Sequence, residues 1–392
     1  MSMTQKPRSV PVEAPVEVRS DAFRGVLLAL FYLLIFLAGV HGLGDGFKML
    51  GRDLLDSFFS ATENPLIALM VGILATTIVQ SSSVTTSMVV ALVAAPENPL
   101  PLANAVPMIL GANIGTTVTN TFVSMAYVGR RDEFQRAFAV ATCHDFFNFL
   151  TVALLLPLEL LTGYLQNTAA MAARWLGPAA PGLDYDSPLK VVLKVLLAPV
   201  VGLAEWALPE NAQWQGVIIA VVSVGLIFVA LAQLVRTLRR RLQRQMERLV
   251  EGTLAKSGLL GILVGVLVTA AVQSSSITTS LLVPLAGAGI LTLNQAFPVT
   301  LGANIGTTLT ALLASLAVSG PNATAGVTIA LVHLLFNLTG TIVIYPFPPI
   351  RRIPLALAEG LAGIAARSRR WAVAYVVVLF YGLPALLAFF DR

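Results

Sequence analysis

The stretch Gln80-Ser81-Ser82-Ser83-Val84-Thr85-Thr86-Ser87 sets a cluster of hydroxyls and one amide inside an apolar segment, and Gln273-Ser274-Ser275-Ser276-Ile277-Thr278-Thr279-Ser280 nearly copies it. Uncharged polar groups at membrane depth raise the free energy unless partners satisfy their hydrogen bonds. A single cluster of this kind could simply join two helices by hydrogen bonds. Two clusters in matching positions favour a binding site built from both halves of the chain.

The composition is that of a membrane protein. Of the 392 residues, 56% are hydrophobic and 11% are charged, whereas a soluble domain carries about 25% charged residues. The net charge of +5 comes from basic residues at the ends of apolar segments, which is the positive-inside pattern and predicts no nucleic-acid partner. A single cysteine, Cys143, excludes an internal disulfide, and three histidines without ligand spacing predict no transition metal.

Each polar cluster lies between two short apolar arms. In the segment 64–95 each arm has about 15 residues, or roughly 22 Å of helix, which is less than a hydrocarbon core of about 30 Å. The pattern predicts a re-entrant helical hairpin with its tip near mid-membrane. The segment 258–287 predicts a second hairpin of the same kind.

A second motif is also duplicated. Gly111-Ala112-Asn113-Ile114-Gly115-Thr116-Thr117 follows the first hairpin, and Gly302-Ala303-Asn304-Ile305-Gly306-Thr307-Thr308 follows the second. Two glycines around an asparagine, followed by two threonines, predict a locally unwound helix that lines a cavity. A helix-break cap is the simpler interpretation of each asparagine.

A histidine and an asparagine four residues apart follow each of these motifs, as His144 with Asn148 and as His333 with Asn337. Residues at this spacing share one helix face, and intramembrane ionisable groups are often functional. A proton relay is therefore one interpretation, although we expect a structural role within the helix bundle. Asp145 points about 100° away from His144 on a helix, so the pair cannot serve one serine as a catalytic triad does.

These landmarks recur at nearly constant separations, 193 residues for the first motif, 191 for the second and 189 for the histidines, which indicates internal duplication. Each half has three crossings and one hairpin that enters and leaves on the same side. Because the number of crossings is odd, the second copy is inverted relative to the first, as in many secondary transporters. With a cytoplasmic N-terminus, the basic segments then all lie inside. The predicted crossings are about 22–43, 101–127, 134–158, 215–235, 296–318, 323–345 and 371–390.

We therefore predict an all-α polytopic protein of the cell membrane with two inverted-topology repeats, each with a re-entrant helical hairpin and a broken helix. The domains are a disordered cytoplasmic tail (1–20), a first transport repeat (21–160), an extracytoplasmic linker (161–212), a second transport repeat (213–350), and an interfacial segment with an extra C-terminal transmembrane helix (351–392).

The predicted pocket is built without formal charge. Between Lys256 and Arg351 no residue is an acid, a lysine or an arginine, and between Glu63 and Arg130 only Glu97 is. Helix N-termini bind anions, and hydroxyl and amide oxygens bind Na⁺. A bare anion in such a pocket costs several kcal/mol of desolvation, so cations that bind beside it offset that cost and favour symport.

The duplicated motifs, together with Arg136-Ala137-Phe138…His144-Asp145…Asn148, resemble the type II sodium–phosphate cotransporter family. The resemblance implies Na⁺-coupled uptake of inorganic phosphate, with Na⁺ as the co-transported ion, no organic cofactor and no enzymatic activity. It implies that phosphate and Na⁺ bind at Gln80, Ser81, Ser82, Ser83, Gln273, Ser274, Ser275 and Ser276. Further pocket and sodium ligands would be Thr85, Thr86, Asn113, Thr116, Thr117, Thr278, Thr279, Asn304, Thr307 and Thr308.

Three alternatives remain open at this point. The transporter could carry another oxyanion or export phosphate, or the chain could be a channel without Na⁺ coupling. It could also be an intramembrane serine hydrolase, for which the only nearby bases are His144 and His333.

Overall fold

A computed structural model describes residues 16–49, 60–176, 188–253, 257–318 and 320–390, and within these ranges every regular element is helical. The α-helices are α1 (Val16–Met49), α2 (Pro65–Val79), α3 (Ser82–Val93), α4 (Leu102–Gly115), α5 (Val118–Ser124), α6 (Arg131–Thr162), α7 (Tyr164–Leu176), α8 (Pro188–Ala207), α9 (Ala212–Thr253), α10 (Gly258–Val272), α11 (Ser275–Gly287), α12 (Leu293–Ser315), α13 (Ala323–Ile344), α14 (Pro348–Arg367), α15 (Arg370–Val376) and α16 (Leu383–Phe390). A 3₁₀ turn (Met125–Tyr127) follows α5, and a π-helical segment (Val377–Gly382) joins α15 to α16.

Six helical stretches in the described ranges are long and apolar enough to cross a membrane, so the chain is an all-α polytopic membrane protein. They are Arg24–Met49, Arg131–Thr162, Ala212–Arg240, Leu293–Ser315, Ala323–Ile344 and Arg370–Ala388. The seventh predicted crossing, 101–127, is divided between α4 and α5, so no single helix there reaches spanning length.

The second GANIGTT motif lies inside the continuous helix α12, so the prediction of a broken helix in the second half is wrong. In the first half the helix pauses only at Thr116 and Thr117, and both residues keep right-handed helical backbone angles. The interruption is a local change of hydrogen bonding, in which the Thr117 N–H donates to the Ile114 carbonyl at 3.2 Å.

The glycines of this motif permit close helix packing instead of unwinding. A Cβ atom on Gly302 of α12 would lie 2.0 Å from the Ile262 carbonyl oxygen of α10, and one on Gly265 of α10 would lie 2.2 Å from the Val299 carbonyl oxygen. Only glycine allows backbones to approach this closely. The same approach joins α2 to α4 at Gly72 and Gly111.

The segment 161–212, predicted as a linker, contains two helices. Helix α7 packs on α13, and α8 packs on α1 and α9, while residues 177–187 lie outside the described ranges. Of the predicted disordered tail, residues 1–15 also lie outside them, and α1 already begins at Val16. The apolar piece predicted in the interface is part of α14, which packs along α6.

The two hairpins are α2–α3 and α10–α11, at the predicted positions. The first arm of each packs on the helix that follows the hairpin in its own half, α4 or α12. The second arm of each contacts the other half: α3 packs on α12 and α13, and α11 packs on α5 and α6. Both hairpin tips therefore lie where the two halves of the chain meet.

Candidate functional site

The two tips share one local geometry, which is set by a glutamine in the left-handed region. Gln80 has φ 57° and Gln273 has φ 59°. Each glutamine ends the first arm and donates its side-chain amide to a carbonyl of that arm, at 2.5 Å to Thr77 and at 2.5 Å to Ala270. The bend leaves the other atom of each amide, Oε1, directed away from its own arm.

A serine begins the second arm of each hairpin. The Ser81 hydroxyl accepts the Val84 N–H at 3.3 Å, and the Ser274 hydroxyl accepts the Ile277 N–H at 3.4 Å. Both serines have extended backbones and act as N-caps. Two of the predicted ligands thus also fix the helix N-termini that face the tip.

The Thr310 hydroxyl links the two tips. It accepts a hydrogen bond from the Ser83 hydroxyl at 3.4 Å and donates one to Gln273 Oε1 at 2.9 Å. The Ser83 hydroxyl also lies 3.5 Å from that of Thr307. Residues predicted from separate halves, Ser83, Gln273 and Thr307, are therefore brought together by a residue that the sequence reasoning missed.

Two further residues of α5 contact the tips and were also missed. The Thr119 hydroxyl donates to Gln80 Oε1 at 3.0 Å, which repeats the Thr310 contact in the first half. The Asn120 side-chain oxygen accepts from Thr279 at 3.0 Å and from Ser280 at 3.2 Å. Thr119 precedes Thr310 by 191 residues, so comparison of the repeats could have found this pair.

The other predicted threonines bond within their own helices. Thr85 donates to the Ser81 carbonyl at 3.3 Å and Thr278 to the Ser274 carbonyl at 3.4 Å. The Thr278 hydroxyl also accepts from Thr269 of the first arm, α10, at 2.8 Å. Ser82 and Ser275 are buried and Ser276 is half-buried, all in the first turns of the second arms. Backbone carbonyls of the same helix accept from Thr86, Thr116, Thr117 and Thr308.

Asn304, predicted to line the pocket, lies at a crossing between the two halves. Its side-chain oxygen pairs with His144 Nε2, and its amide donates to Asn148 Oδ1 at 2.9 Å. All three side chains are buried. Asn304 thus ties α12 to α6, in agreement with the structural role expected for His144.

Asn113 forms the matching contact with the other half. Its side-chain oxygen lies 3.2 Å from His333 Nε2 and accepts the Asn337 amide at 3.2 Å. The Asn113 carbonyl also accepts from Asn148 at 2.7 Å. These two groups, which we call the His–Asn clasps, join α4 to α13 and α12 to α6.

The clasps bear on the hydrolase alternative. Each histidine directs Nε2 to an asparagine, and each ring Nδ1 is buried without a hydrogen-bond partner among the described residues. No hairpin serine in the described ranges forms a hydrogen bond with His144 or His333. The geometry therefore lacks the serine–base pair on which nucleophilic catalysis depends.

Asp145 is a buried acid that the sequence reasoning considered only for hydrolysis. It is fully buried in α6, and the Tyr375 hydroxyl of α15 donates to its Oδ2 at 2.7 Å. Its Oδ1 accepts no hydrogen bond among the described residues, although the Thr117 hydroxyl lies close to the carboxyl. An acid within a membrane span was the available signal, since such groups are expensive and usually functional.

The chain is similar to known proteins over most of its length. The family model described as Na⁺/Pi-cotransporter matches residues 35–174 and 226–345. Similar relatives are the human sodium-dependent phosphate transport protein 2B, 33% identical over 92% of this chain, its bovine counterpart, 34% identical over 92%, and the rat sodium-dependent phosphate transport protein 2A, 33% identical over 92%.

The chain covers 65% of the human relative, 64% of the bovine one and 67% of the rat one, so it spans about two thirds of their length. No solved structure matches it. The family model covers both hairpins and the four helices that form the His–Asn clasps, α4, α6, α12 and α13. Because the match extends over more than half of the residues, the chain belongs to the Na⁺/Pi-cotransporter family.

Proposed function

We propose that this chain is a Na⁺-coupled symporter that imports inorganic phosphate, with substrate and Na⁺ held between the two hairpin tips. The observation that carries the proposal is the Thr310 hydroxyl, which lies within hydrogen-bonding distance of Ser83 on one hairpin and Gln273 on the other. Relatives that are named sodium-dependent phosphate transport proteins support the choice of substrate and ion.

Phosphate binding follows from the direction of the second arms. Helices α3 and α11 begin at the tips, so the unpaired N–H groups of their first turns and the positive ends of their dipoles face the site. Such helix N-termini bind phosphate groups without any basic side chain. Two of them, with the hydroxyls of Ser83 and Ser276, give donors for a tetrahedral oxyanion.

Asp145 is the acidic side chain that we assign to the coupling ion. A carboxylate that is buried without a basic partner is unfavourable, and a Na⁺ ion at its free Oδ1 would offset that cost. Asp145 contacts Thr117, one of the pocket residues predicted from the sequence. On this basis Asp145→Asn should lower the apparent affinity for Na⁺ at least about tenfold, since one charge–ion contact exceeds about 1.4 kcal/mol in a buried site.

That change is measured as Na⁺-dependent phosphate uptake over a range of Na⁺ concentrations. Tyr375→Phe serves as the control, since it removes the hydroxyl that contacts Asp145 and keeps the carboxylate. A smaller shift is expected for Tyr375→Phe. An unchanged Na⁺ dependence in Asp145→Asn would exclude the acid as an ion ligand.

We further propose two inverted repeats in the cell membrane with a cytoplasmic N-terminus. Three contacts support this topology. Each contact joins two segments that the topology assigns to the same side of the membrane. The Asn322 amide donates to the Ala95 carbonyl at 2.6 Å, and Lys48 pairs with Glu97 at 3.2 Å, all on the outer side. Arg136 donates to the carbonyl at residue 287 on the inner side.

The decisive experiment is uptake of radiolabelled phosphate into proteoliposomes, with an inward Na⁺ gradient or with choline in place of Na⁺. Uptake that requires Na⁺, and that Gln80→Ala or Ser276→Ala abolishes with expression intact, would support the proposal. Equal uptake in choline would exclude symport. Competition by arsenate, sulfate and dicarboxylates then separates phosphate from other oxyanions.

A further inference from the structure

The base of the second hairpin is fastened by an arginine of the first half. Helix α11 ends at Gly287, and the last carbonyls of a helix have no partner within it. Arg136 of α6 donates Nε to the Ala286 and Gly287 carbonyls at 3.2 Å each, and Nη2 to the Gly287 carbonyl at 2.7 Å. A cation at this end also interacts favourably with the helix dipole.

The base of the first hairpin is fastened in the same way from the second half. The Asn322 amide, at the N-terminus of α13, donates to the Ala95 carbonyl just beyond α3 at 2.6 Å. The two fastenings differ in strength, since a neutral amide makes one hydrogen bond and a guanidinium makes three. Hydrogen bonds from charged groups are about twice as strong as neutral ones.

Helices α11 and α6 also share apolar contacts. Val283 and Ala286 of α11 belong to a buried cluster with Ala137 and Val140 of α6. Apolar contacts are not directional and allow one helix to slide along another. Arg136 is thus the specific polar attachment at this end of the contact.

A cavity of about 600 Å³ opens beside Arg136. Asp132 and Glu359 also line it, yet neither forms an ion pair with Arg136 among the described residues. The guanidinium is therefore directed to the hairpin carbonyls. Val140 and Ala286 of the α11–α6 contact also line the cavity, so release of the guanidinium would let the two helices separate at the cavity wall.

We propose that Arg136 and Asn322 are the two latches of the transport cycle, each of which holds one hairpin base against the opposite half. Arg136 closes the face on which α11 ends, and Asn322 closes the other face. The three bonds of Arg136 break when the Arg136 side opens, and the single bond of Asn322 breaks when the other side opens. This inference rests on the proposed transport function, but its test needs no phosphate.

The test measures the accessibility of a thiol behind each latch in proteoliposomes of the full chain, on a Cys143→Ala background. Val140→Cys reports on the Arg136 side, since Val140 is 4% exposed and lines the cavity. Ala91→Cys reports on the other side, since it is 1% exposed and lines a cavity beside Gly320. A membrane-impermeant thiol reagent is added from one side at a time.

Arg136→Gln should raise the rate of modification at Val140→Cys at least about tenfold, since hydrogen bonds from a charged group stabilise by that factor or more. It should leave Ala91→Cys unchanged. Asn322→Ala should do the reverse, with a smaller increase. Arg136→Lys keeps the charge but loses the branched guanidinium that donates from two nitrogens. Its rate of modification at Val140→Cys should lie between those of wild type and Arg136→Gln.

Arg131→Gln is the matched control, because Arg131 lies on the same helix, is exposed and forms no ion pair or side-chain hydrogen bond among the described residues. An equal rise in the modification rate in Arg131→Gln, or a rise at both thiols in Arg136→Gln, would show a general loosening of helix packing. Either result would overturn the proposal that Arg136 is a latch. Unchanged rates at both thiols overturn it too. If Arg136→Gln fails to fold, the same comparison is made with Arg136→Lys.

Discussion

The Thr310 hydroxyl forms hydrogen bonds with both hairpins, with Ser83 of the first and with Gln273 of the second. Its position could not be read from local pattern, since one threonine in an apolar helix is usually bonded to its own turn. Thr300 of the same helix is bonded in this way, to the Ala296 carbonyl. What distinguishes Thr310 is a contact across 227 residues of sequence, which depends on the fold.

Thr310→Val should reduce kcat/KM for phosphate uptake about thirtyfold, since it removes two buried hydrogen bonds of about 1 kcal/mol each. Thr310→Ser keeps the hydroxyl and should retain most of the activity. Thr300→Val removes a buried hydroxyl from the same helix and should leave uptake nearly unchanged. Similar losses in both valine variants would mean that the effect is one of helix stability.

At the scale of elements, the hairpins were predictable and the role of the glycines was not. Arm length, the polar interruption and the duplication placed the hairpins at 64–95 and 258–287, where α2–α3 and α10–α11 are found. Glycine is compatible both with an unwound segment and with close packing. Which of the two roles a glycine has depends on the neighbouring backbone, which the sequence does not show. At Gly302 the nearby Ile262 carbonyl shows that the role is close packing.

Gly302→Ala should destabilise the protein by about 1–3 kcal/mol, because the added methyl group would force α10 and α12 apart. Gly225→Ala is the matched control, since Gly225 lies in α9 and a Cβ atom added there would have nothing within 4 Å. That variant should gain up to about 1 kcal/mol from helix propensity. Thermal unfolding in detergent distinguishes them, and equal melting temperatures would contradict the packing argument.

At the scale of the whole molecule, the two halves are joined by the His–Asn clasps and by the second arms of the hairpins. Both clasps cross between the halves, and each uses the pair of residues at four-residue spacing that the sequence contains twice. The sequence predicted a shared helix face for each pair. It could not predict that the partner of each face would be the asparagine of the other half.

The proposed topology predicts opposite labelling of two exposed positions, each replaced by cysteine on the Cys143→Ala background. In intact cells Glu97→Cys should react with an impermeant reagent from outside, and Arg131→Cys only after permeabilisation. The reason is that an inverted second repeat places the base of the first hairpin outside and the basic segment after α5 inside. Labelling of both from the same side would contradict the topology.

The bends at Gln80 and Gln273 separate backbone shape from side-chain chemistry. A left-handed backbone costs a residue other than glycine about 1–2 kcal/mol, so glycine at either bend would relieve strain and raise the melting temperature. The same exchange deletes the amide whose Oε1 meets Thr119 or Thr310. The Gln273→Gly variant should therefore have a higher melting temperature and, on the proposed function, almost no phosphate uptake. The native protein tolerates a less stable turn because the turn places an amide at each hairpin tip.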